Sequence, residues 1–560
     1  MTLYLTRQPP AASLKSQILE TPLKSDTVRM LVGFVLVVLI LLVWQLLFPP
    51  RRRSAPPLPA PAPAETAAEA PAPAVVAPPP PQPAPTPAAI GETTVVIENE
   101  LLRLELTSAG GAIRTATLKK YNCQLVPEGT TLLGSTVDYA GRSWNLSLLP
   151  GSVAVNDRSA TFTWTLPEAG ATVVKTWTLR DDYRLDLMLS LPEKTAAFVL
   201  DAGAGIRTTE KDHREDLANF HFYARDEKKV HQLSAGALRR KPFAAAADWA
   251  GLKSKYFFLA VMRPDGTFDS TRAHALDDGR LGFSARIGSP PATGNLLVYI
   301  GPVEYKRLRS FGLGFENVVS LGWLKPIALA ILWIIELFYR LVRNWGWAIV
   351  LFSVVMKAVF YPLTRVQTRQ MRQMQLLQPK VEELKKKFKN DPKMLNEETM
   401  RLYRVYKINP LSGCLPLLVQ MPVFFALYAV LRTFIELRGA SFVLWLKDLS
   451  VPDTLFGHIP RGVPMIGGYA IGLLPILMGV SFIAQNFITS TDRKNWAITL
   501  LFPIFITAIF LNLSSGLQLY WFVYNVLSIL ESVIATRGGK LWRILRPRTG
   551  PIPAGPDPTA

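Results

Sequence analysis

The chain has 560 residues, 49% of them apolar and only 19% charged, with a formal net charge of +20. That length exceeds one ordinary domain, and so low a charge content excludes a soluble protein throughout. The positive balance would suit nucleic acid, but the basic residues gather in short segments beside apolar runs, as on the cytoplasmic face of membrane proteins, so direct DNA binding is not expected.

Residues 1–30 form a charged leader, and Leu31 to Phe48 is an apolar run of the length that crosses a bilayer. No small-residue cleavage site follows directly, so the run reads as an uncleaved anchor rather than a signal peptide. Residues 49–90 hold sixteen of the forty-five prolines, mostly alternating with alanine. This composition makes an extended, semi-rigid linker.

Residues 91–322 change character. Leu102, Leu104 and Leu106 alternate with Arg103 and Glu105, and Tyr183, Leu185, Leu187 and Leu189 keep the same period. Period-2 patterning with Gly, Asp and Asn punctuation predicts an all-β sandwich, and the segment is long enough for one large core. Two cysteines, Cys123 and Cys414, stand in different regions and predict no disulfide framework. The five histidines form no metal-ligand spacing, so neither a metal nor another cofactor is expected.

Beyond residue 323 the chain becomes membrane-like. Residues 323–342 are apolar but contain Glu336 and Arg340, and run almost directly into a second apolar stretch. The first therefore reads as an amphipathic helix at the interface, and 345–363 as a true span. Further spans are predicted at 411–431, 468–487, 497–513 and 517–535, giving a bundle of five; Ser514-Ser515-Gly516 joins the last two as a tight hairpin.

Residues 364–407 carry twelve Lys and Arg and are assigned to the cytoplasm; 432–467, sparse in basic residues, faces outward. The tail 541–560 is basic and then proline-rich. Counting back places both termini on the cytoplasmic side and the β domain outside. Arg51–Arg53 opposes this order, but the four C-terminal loops agree against it.

Within 364–389, Met371, Met374, Leu377, Val381, Leu384 and Phe388 recur at a spacing near that of a coiled-coil seam. Asp391 and Pro392 then supply an N-cap and a first-turn proline, and Leu395, Leu402 and Tyr406 line a second helix. The segment is predicted to be a helical hairpin, with Met371, Met374, Lys385, Lys386, Lys387 and Tyr406 as its docking residues. A solvated loop that only fixes topology is the plainer alternative.

Lys357 lies inside the 345–363 span, where a lysine at the centre costs about 2.5–3.5 kcal/mol on insertion scales. It could snorkel to the nearby interface. Against that, Ser353, Lys357, Tyr361 and Thr364 fall on one helical face. Gln420, Phe424 and Tyr428 share a face of the 411–431 span, as do Gln518, Asn525, Ser528 and Ser532 of the last span. Three such stripes with one unpaired cation predict a wet, positively charged groove. Helix–helix packing is the plainer reading of each polar residue alone, and a Lys357–Glu531 pair remains an alternative.

At these residues the sequence resembles the YidC insertases, of the YidC/Oxa/Alb family, in their Gram-negative form. The resemblance runs end to end and is carried by Asn344-Trp345-Gly346, Lys357, Tyr361-Pro362-Leu363-Thr364, Leu377-Gln378-Pro379-Lys380, Asn409-Pro410-Leu411-Ser412-Gly413-Cys414, Gln420-Met421-Pro422 and Ser515-Gly516-Leu517. Two positions depart from the family. Lys357 stands where arginine is usual in the Gram-negative members, and the turn Leu513-Ser514-Ser515-Gly516 where a Phe-Pro pair is more usual.

The resemblance implies a non-enzymatic insertase and chaperone for inner-membrane proteins, acting alone or with the Sec translocon. It implies insertion without nucleotide hydrolysis, and the chain contains no GxxxxGK[ST] phosphate loop. The implied partners are nascent membrane proteins, membrane lipid, the Sec translocon, and ribosome and targeting factors at the hairpin and basic tail. The expected groove comprises Lys357, Ser353, Tyr361, Gln420, Gln518, Asn525 and Ser528. Phe424, Tyr428 and Trp521 would form an apolar slide for the incoming helix. A secondary transporter predicts a midplane ion site and often internal repeats, and neither is found. A sugar-active enzyme in the β domain would need paired carboxylates or a Ser/His/Asp set, and none stands out.

Overall fold

The computed structural model describes residues 92–537, apart from 168–169, 228, 407, 409–414, 461, 464–466 and 490–495. The predicted leader, the Leu31–Phe48 anchor, the proline-rich linker and the 541–560 tail all lie outside the described residues.

Strand alternation drives the first half. Leu102, Leu104 and Leu106 are wholly buried while Arg103 is exposed, and Leu185, Leu187 and Leu189 are buried in the same rhythm. A strand with one such face must cover it. The nine-stranded sheet runs Val230–Ser234, His221–Arg225, Trp249–Lys253, Phe257–Met262, Thr293–Pro302, Arg184–Ser190, Thr172–Leu179, Ser159–Thr165, Gly151–Asn156. A six-stranded sheet runs Phe243–Ala247, Phe268–Ala275, Leu281–Gly288, Ala197–Ala202, Gly134–Tyr139, Arg142–Asn145. The two meet across the core, where Phe222 of one lies 5.9 Å from Phe283 of the other. Thr94–Glu98, Leu102–Thr107, Ala112–Leu118 and Cys123–Gln124 make a third sheet of four strands. The turn between its second and third strands receives Trp164 and Trp177, whose indoles donate to the Ser108 and Gly111 carbonyls. The predicted all-β sandwich is thus present, with an added small sheet. Short helices α1 (His213–Ala218) and α2 (Ala235–Arg240) decorate it, and α3 (Tyr305–Ser310) leads out of it.

The second half is helical. α4 (Lys325–Val342) buries Ala328, Ile331, Leu332 and Ile335 and leaves Trp333, Leu337 and Leu341 exposed. It ends at Arg343 in the left-handed region, φ 54°. Asn344 then caps α5 (Trp345–Lys387), its side chain accepting from the Trp347 N–H at 3.1 Å. Tyr339 stacks on Trp345 at 3.8 Å across the corner. The separation of these two helices is as expected from sequence.

No helix end marks the passage from the predicted span to the predicted hairpin at 363/364. α5 passes through Pro362 and Pro379 without a break, so the span and the first arm of the hairpin are one rod of 43 residues. A proline frees a carbonyl one turn back, and helices tolerate this where hydroxyls and local adjustment re-satisfy the backbone. The hydroxyls just past Pro362 do not serve the carbonyl it frees: Thr364 donates to the Tyr361 carbonyl and Thr368 to that of Thr364, so local adjustment of the helix carries it through. α6 (Pro392–Val405) returns along the rod, capped by Asp391, which accepts from the Lys393 and Met394 N–H groups at 3.0 Å.

α7 (Leu415–Thr433), α8 (Leu473–Thr489), α9 (Trp496–Phe510) and α10 (Ser515–Arg537) complete the bundle. α8 starts at Leu473, not at 468. Asp453 from the preceding loop accepts from the Leu474 N–H at 2.8 Å, and so fixes the start from outside the helix. By length and composition two described helices can cross a membrane, α5 and the Ser515–Ile534 part of α10; Val419–Thr433 and Leu473–Ile488 are shorter apolar helices.

Polar contacts lock the β domain to the loop beyond α7. Arg438 pairs with Glu210 at 2.8 Å and donates to the Thr209 and Tyr121 carbonyls, and Lys120 pairs with Glu436 at 2.8 Å. Burial pushes the free thiol of Cys123 up to about 11, against a lowering pull from Arg438.

Candidate functional site

α5 and α10 run side by side in the same direction, and their contacts step down both together. Gly516 lies against Ile349, Phe352 packs 5.8 Å from Tyr520, Lys357 reaches Ser528, and Thr364 reaches Glu531. This register brings Lys357 to its partners. Its ammonium donates to Ser528 Oγ at 2.8 Å, pairs with Glu531 Oε2 at 2.7 Å and lies 5.1 Å from the centre of the Tyr524 ring. Lys357 is only 9% exposed. Thr364 Oγ1, which shares its one proton with the Tyr361 carbonyl, lies 3.3 Å from the other oxygen of Glu531.

The expectation of an unpaired cation is therefore corrected. Lys357 neither snorkels nor stands alone, and the carboxylate weighed as an alternative is its partner. A buried charge is tolerated when it is paired and hydrogen-bonded, and costly otherwise. Glu531 and Tyr524 were absent from the expected groove. The signal that could have found them is the shared face of Tyr524, Ser528 and Glu531, together with the similar depth of Lys357 and Ser528 counted from their helix starts.

The other polar residues do not converge on Lys357. Ser353 is wholly buried and donates to the Ile349 carbonyl of its own helix at 2.8 Å. Tyr361 is half-buried, one turn beyond Lys357. Gln420 donates to Tyr520 Oη at 2.6 Å, joining α7 to α10. Asn525 donates to Ser481 Oγ at 3.3 Å, joining α8 to α10. Gln518 spends its amide on the Phe510 and Leu513 carbonyls at 2.9 and 3.0 Å, closing the end of α9. The stripe on α10 is thus divided among three neighbouring helices, and the expected single groove is in this structure a closed polar network centred on α10.

The slide residues are also arranged differently from one another. Phe424 is buried, edge-on to Trp521 at 5.2 Å, and both contact Phe510, at 5.9 and 5.3 Å. This is an interior aromatic cluster. Tyr428 lies apart, under Arg432 at 5.9 Å. Gln518 Oε1 and Trp521 Nε1 are buried without a hydrogen-bond partner among the described residues.

In the hairpin, Leu377 and Val381 are buried on the seam and Met374 is half-buried; the side chain of Met371 lies outside the described residues. Tyr406 ties the arms together, accepting from Lys380 at 2.7 Å, while Lys385, Lys386 and Lys387 are exposed at the end of the rod. Among the described residues no group of His, Cys, Asp or Glu could hold a metal ion.

Comparison with known proteins agrees with the division into halves. Residues 94–334 match the family model of the YidC periplasmic domain, and 337–540 that of the 60Kd inner membrane protein. A membrane protein insertase YidC from Pelobacter propionicus is 34% identical over 473 residues, covering 79% of this chain and 86% of the relative. The Geobacter metallireducens YidC is 31% identical over 545 residues, covering 90% and 97%. A crystal structure of an active YidC insertase with its first transmembrane domain resolved covers 78% of this chain and 92% of its own, at 18% identity and a TM-score of 0.37.

Proposed function

The chain belongs to the YidC family of membrane protein insertases, and we propose that it inserts inner-membrane proteins by offering Lys357 as an exchangeable partner for acidic groups in a substrate's translocating tail. The observation that carries this reading is the Lys357 contact set. A buried cation is held by a carboxylate, a hydroxyl and a ring, all side chains of one neighbouring helix. A substrate carboxylate can replace Glu531 without any main-chain hydrogen bond breaking. In a site of low dielectric the attraction is stronger than in water. The divided polar stripe of α10 offers further partners to a hydrophilic tail as the helices part, which lowers the cost of taking it into the bilayer. As the same helices part, the interior aromatic cluster of Phe424 and Trp521, together with Tyr428, would be uncovered as an apolar surface for the incoming helix.

On this reading the protein sits in the bacterial inner membrane with five core spans. The β domain is periplasmic and both termini are cytoplasmic. The hairpin, through Lys385–Lys387, meets ribosomes, targeting factors or the Sec translocon, and no nucleotide is hydrolysed.

Reconstitution in liposomes with a short two-span substrate tests the mechanism. Lys357→Ala is expected to slow insertion of an acidic-tailed substrate about tenfold, the worth of one charge-assisted hydrogen bond, and to spare a neutral-tailed one. Full activity of the variant on the acidic tail would overturn the mechanism.

A further inference from the structure

Between α3 and α4 lies a groove of about 480 Å³ that the insertion mechanism does not use. Its lining is split by chemistry. Leu329, Leu332 and Trp333 of α4 make an apolar floor, and Tyr305, Lys306 and Arg309 of α3 make a basic wall. The three floor residues sit at i, i+3 and i+4, one face of the helix. Lys306 pairs with Glu336 one turn further along the same face. Arg309 has no side-chain partner among the described residues, and Lys325 lies 5.5 Å from the Tyr305 ring at the groove's other end. Three cations and one carboxylate therefore leave a net positive rim.

The floor continues outward. Trp333, 59% exposed, also belongs to an exposed stripe of α4 with Ile327 before it and Leu337 and Leu341 after it. Such a stripe on an amphipathic helix is covered when the helix lies along a bilayer surface. An apolar stripe opening into a groove whose far wall is basic has the layout of a chain and a phosphate. Basic pockets beside membrane-surface helices recognise lipid headgroups in this way.

We propose that the groove binds one anionic phospholipid, with its phosphate on Arg309 and Lys306 and an acyl chain over Leu329, Leu332 and Trp333. Charge complementarity selects this occupant, because a zwitterionic headgroup brings no net charge to the positive rim. The site uses α4 as a surface helix, and it stands whether or not Lys357 drives insertion.

Native mass spectrometry of the full-length protein in detergent, offered phosphatidylglycerol and phosphatidylcholine in equal amounts, reads the site directly. One phosphatidylglycerol is expected to stay bound in preference to phosphatidylcholine. Arg309→Gln should weaken its retention about tenfold, the loss of one charge-assisted contact. Leu329→Trp keeps every charge but fills the floor, and should also displace the lipid. Both positions are at least partly exposed, and an unchanged melting temperature certifies the fold of each variant. Equal retention of the two lipids, or unchanged retention by both variants, overturns the proposal. So does saturation by inorganic phosphate alone with no lipid preference, which would make the site one for free anions. Liposome insertion by the Arg309 variant is read separately, so loss of lipid and loss of the Lys357 mechanism are told apart.

Discussion

Lys175 of the β domain and Lys357 of the bundle are both buried, and they are held in opposite ways. The Lys175 ammonium donates to the Leu133 and Gly110 carbonyls at 2.7 and 3.2 Å and to Ser135 Oγ at 2.8 Å, with the Trp177 ring 5.1 Å away. No carboxylate is among these contacts, and burial pushes its pKa well below the ordinary lysine value. Two of its three acceptors are main chain, fixed by the sheets and turns around them. Those of Lys357 are a carboxylate and a hydroxyl on one helix, both on side chains that can change rotamer, although Ser528 Oγ also donates to the Tyr524 carbonyl at 2.8 Å. A lysine clamped by main chain cannot change partners while the domain is folded. One held by side chains can do so by rotamer changes and a small helix displacement. The first arrangement serves stability and the second can serve exchange.

The comparison predicts its largest effect in the β domain. Lys175→Met keeps the volume but orphans the carbonyls, and should destabilise the domain by about 3 kcal/mol. Hydrogen exchange of the whole protein would show it as lost protection in the Gly151–Asn156 to Thr172–Leu179 strands. Unchanged protection would mean that the clamp is dispensable. Next comes the joint between the halves. Arg438→Ala leaves Glu210 unpaired at a site only partly screened from water, and should cost about 2 kcal/mol, below the range for a fully buried pair. The readout is the distance distribution between spin labels on the β domain and on α10, expected to broaden. A distribution as narrow as before would show that apolar contacts alone hold the joint.

A smaller effect is set by pH. Lys253 is buried, and burial first and the Arg432 charge second bring its pKa down to about 8, against an opposing pull from Asp216. The unfolded lysine titrates near the ordinary lysine value of 10.5. Between these values the unfolded state holds a proton that the folded state lacks, so stability rises with pH across the window. Below about 8 both states are protonated and the full cost of the buried charge is present. Lys253→Met should therefore be more stable than the native protein at pH 7.5. Its advantage should shrink by at most about 1.4 kcal/mol per pH unit above 8. Denaturant midpoints from pH 7.5 to 10 measure it, and an advantage constant in pH would contradict the assignment.

Much of this contrast was legible in the sequence, and what was not has a common cause. Leu102, Leu104 and Leu106 announced a strand because period 2 is a local property. The pairing of Arg184–Ser190 with Thr293–Pro302 did not announce itself, because it joins residues over a hundred positions apart. That a single helix, α5, carries the span on into the hairpin was not legible, because the sequence marks only the change from apolar to basic residues near 363 and the backbone continues through it. Lys357 stood out as a charge in an apolar run. Glu531 was visible as a candidate, but the register of α5 against α10 decides between pairing and solitude, and that register is tertiary. Gln518 looked like groove lining for the same reason: its true partners, the last carbonyls of α9, are placed by the chain turn and not by the face it shares with Asn525.

The finest test of the comparison is the competitor of a substrate. If Lys357 is an exchangeable partner, Glu531 occupies it at rest and must be displaced. Glu531→Gln keeps the shape and one acceptor oxygen but removes the charge, so Lys357 would be held by Ser528, Tyr524 and a neutral amide. A substrate carboxylate then meets weaker competition, and acidic-tailed insertion in liposomes should rise about threefold, under 1 kcal/mol. Neutral-tailed insertion should not change, because it never called on the cation. Glu531→Gln combined with Lys357→Met should abolish the gain, since the amide has then nothing to release. The direction is informative either way. Were Glu531→Gln to fall with Lys357→Ala on the acidic tail, Glu531 would be a required member of the site, and Lys357 would resemble Lys175 in being fixed in place by its partners.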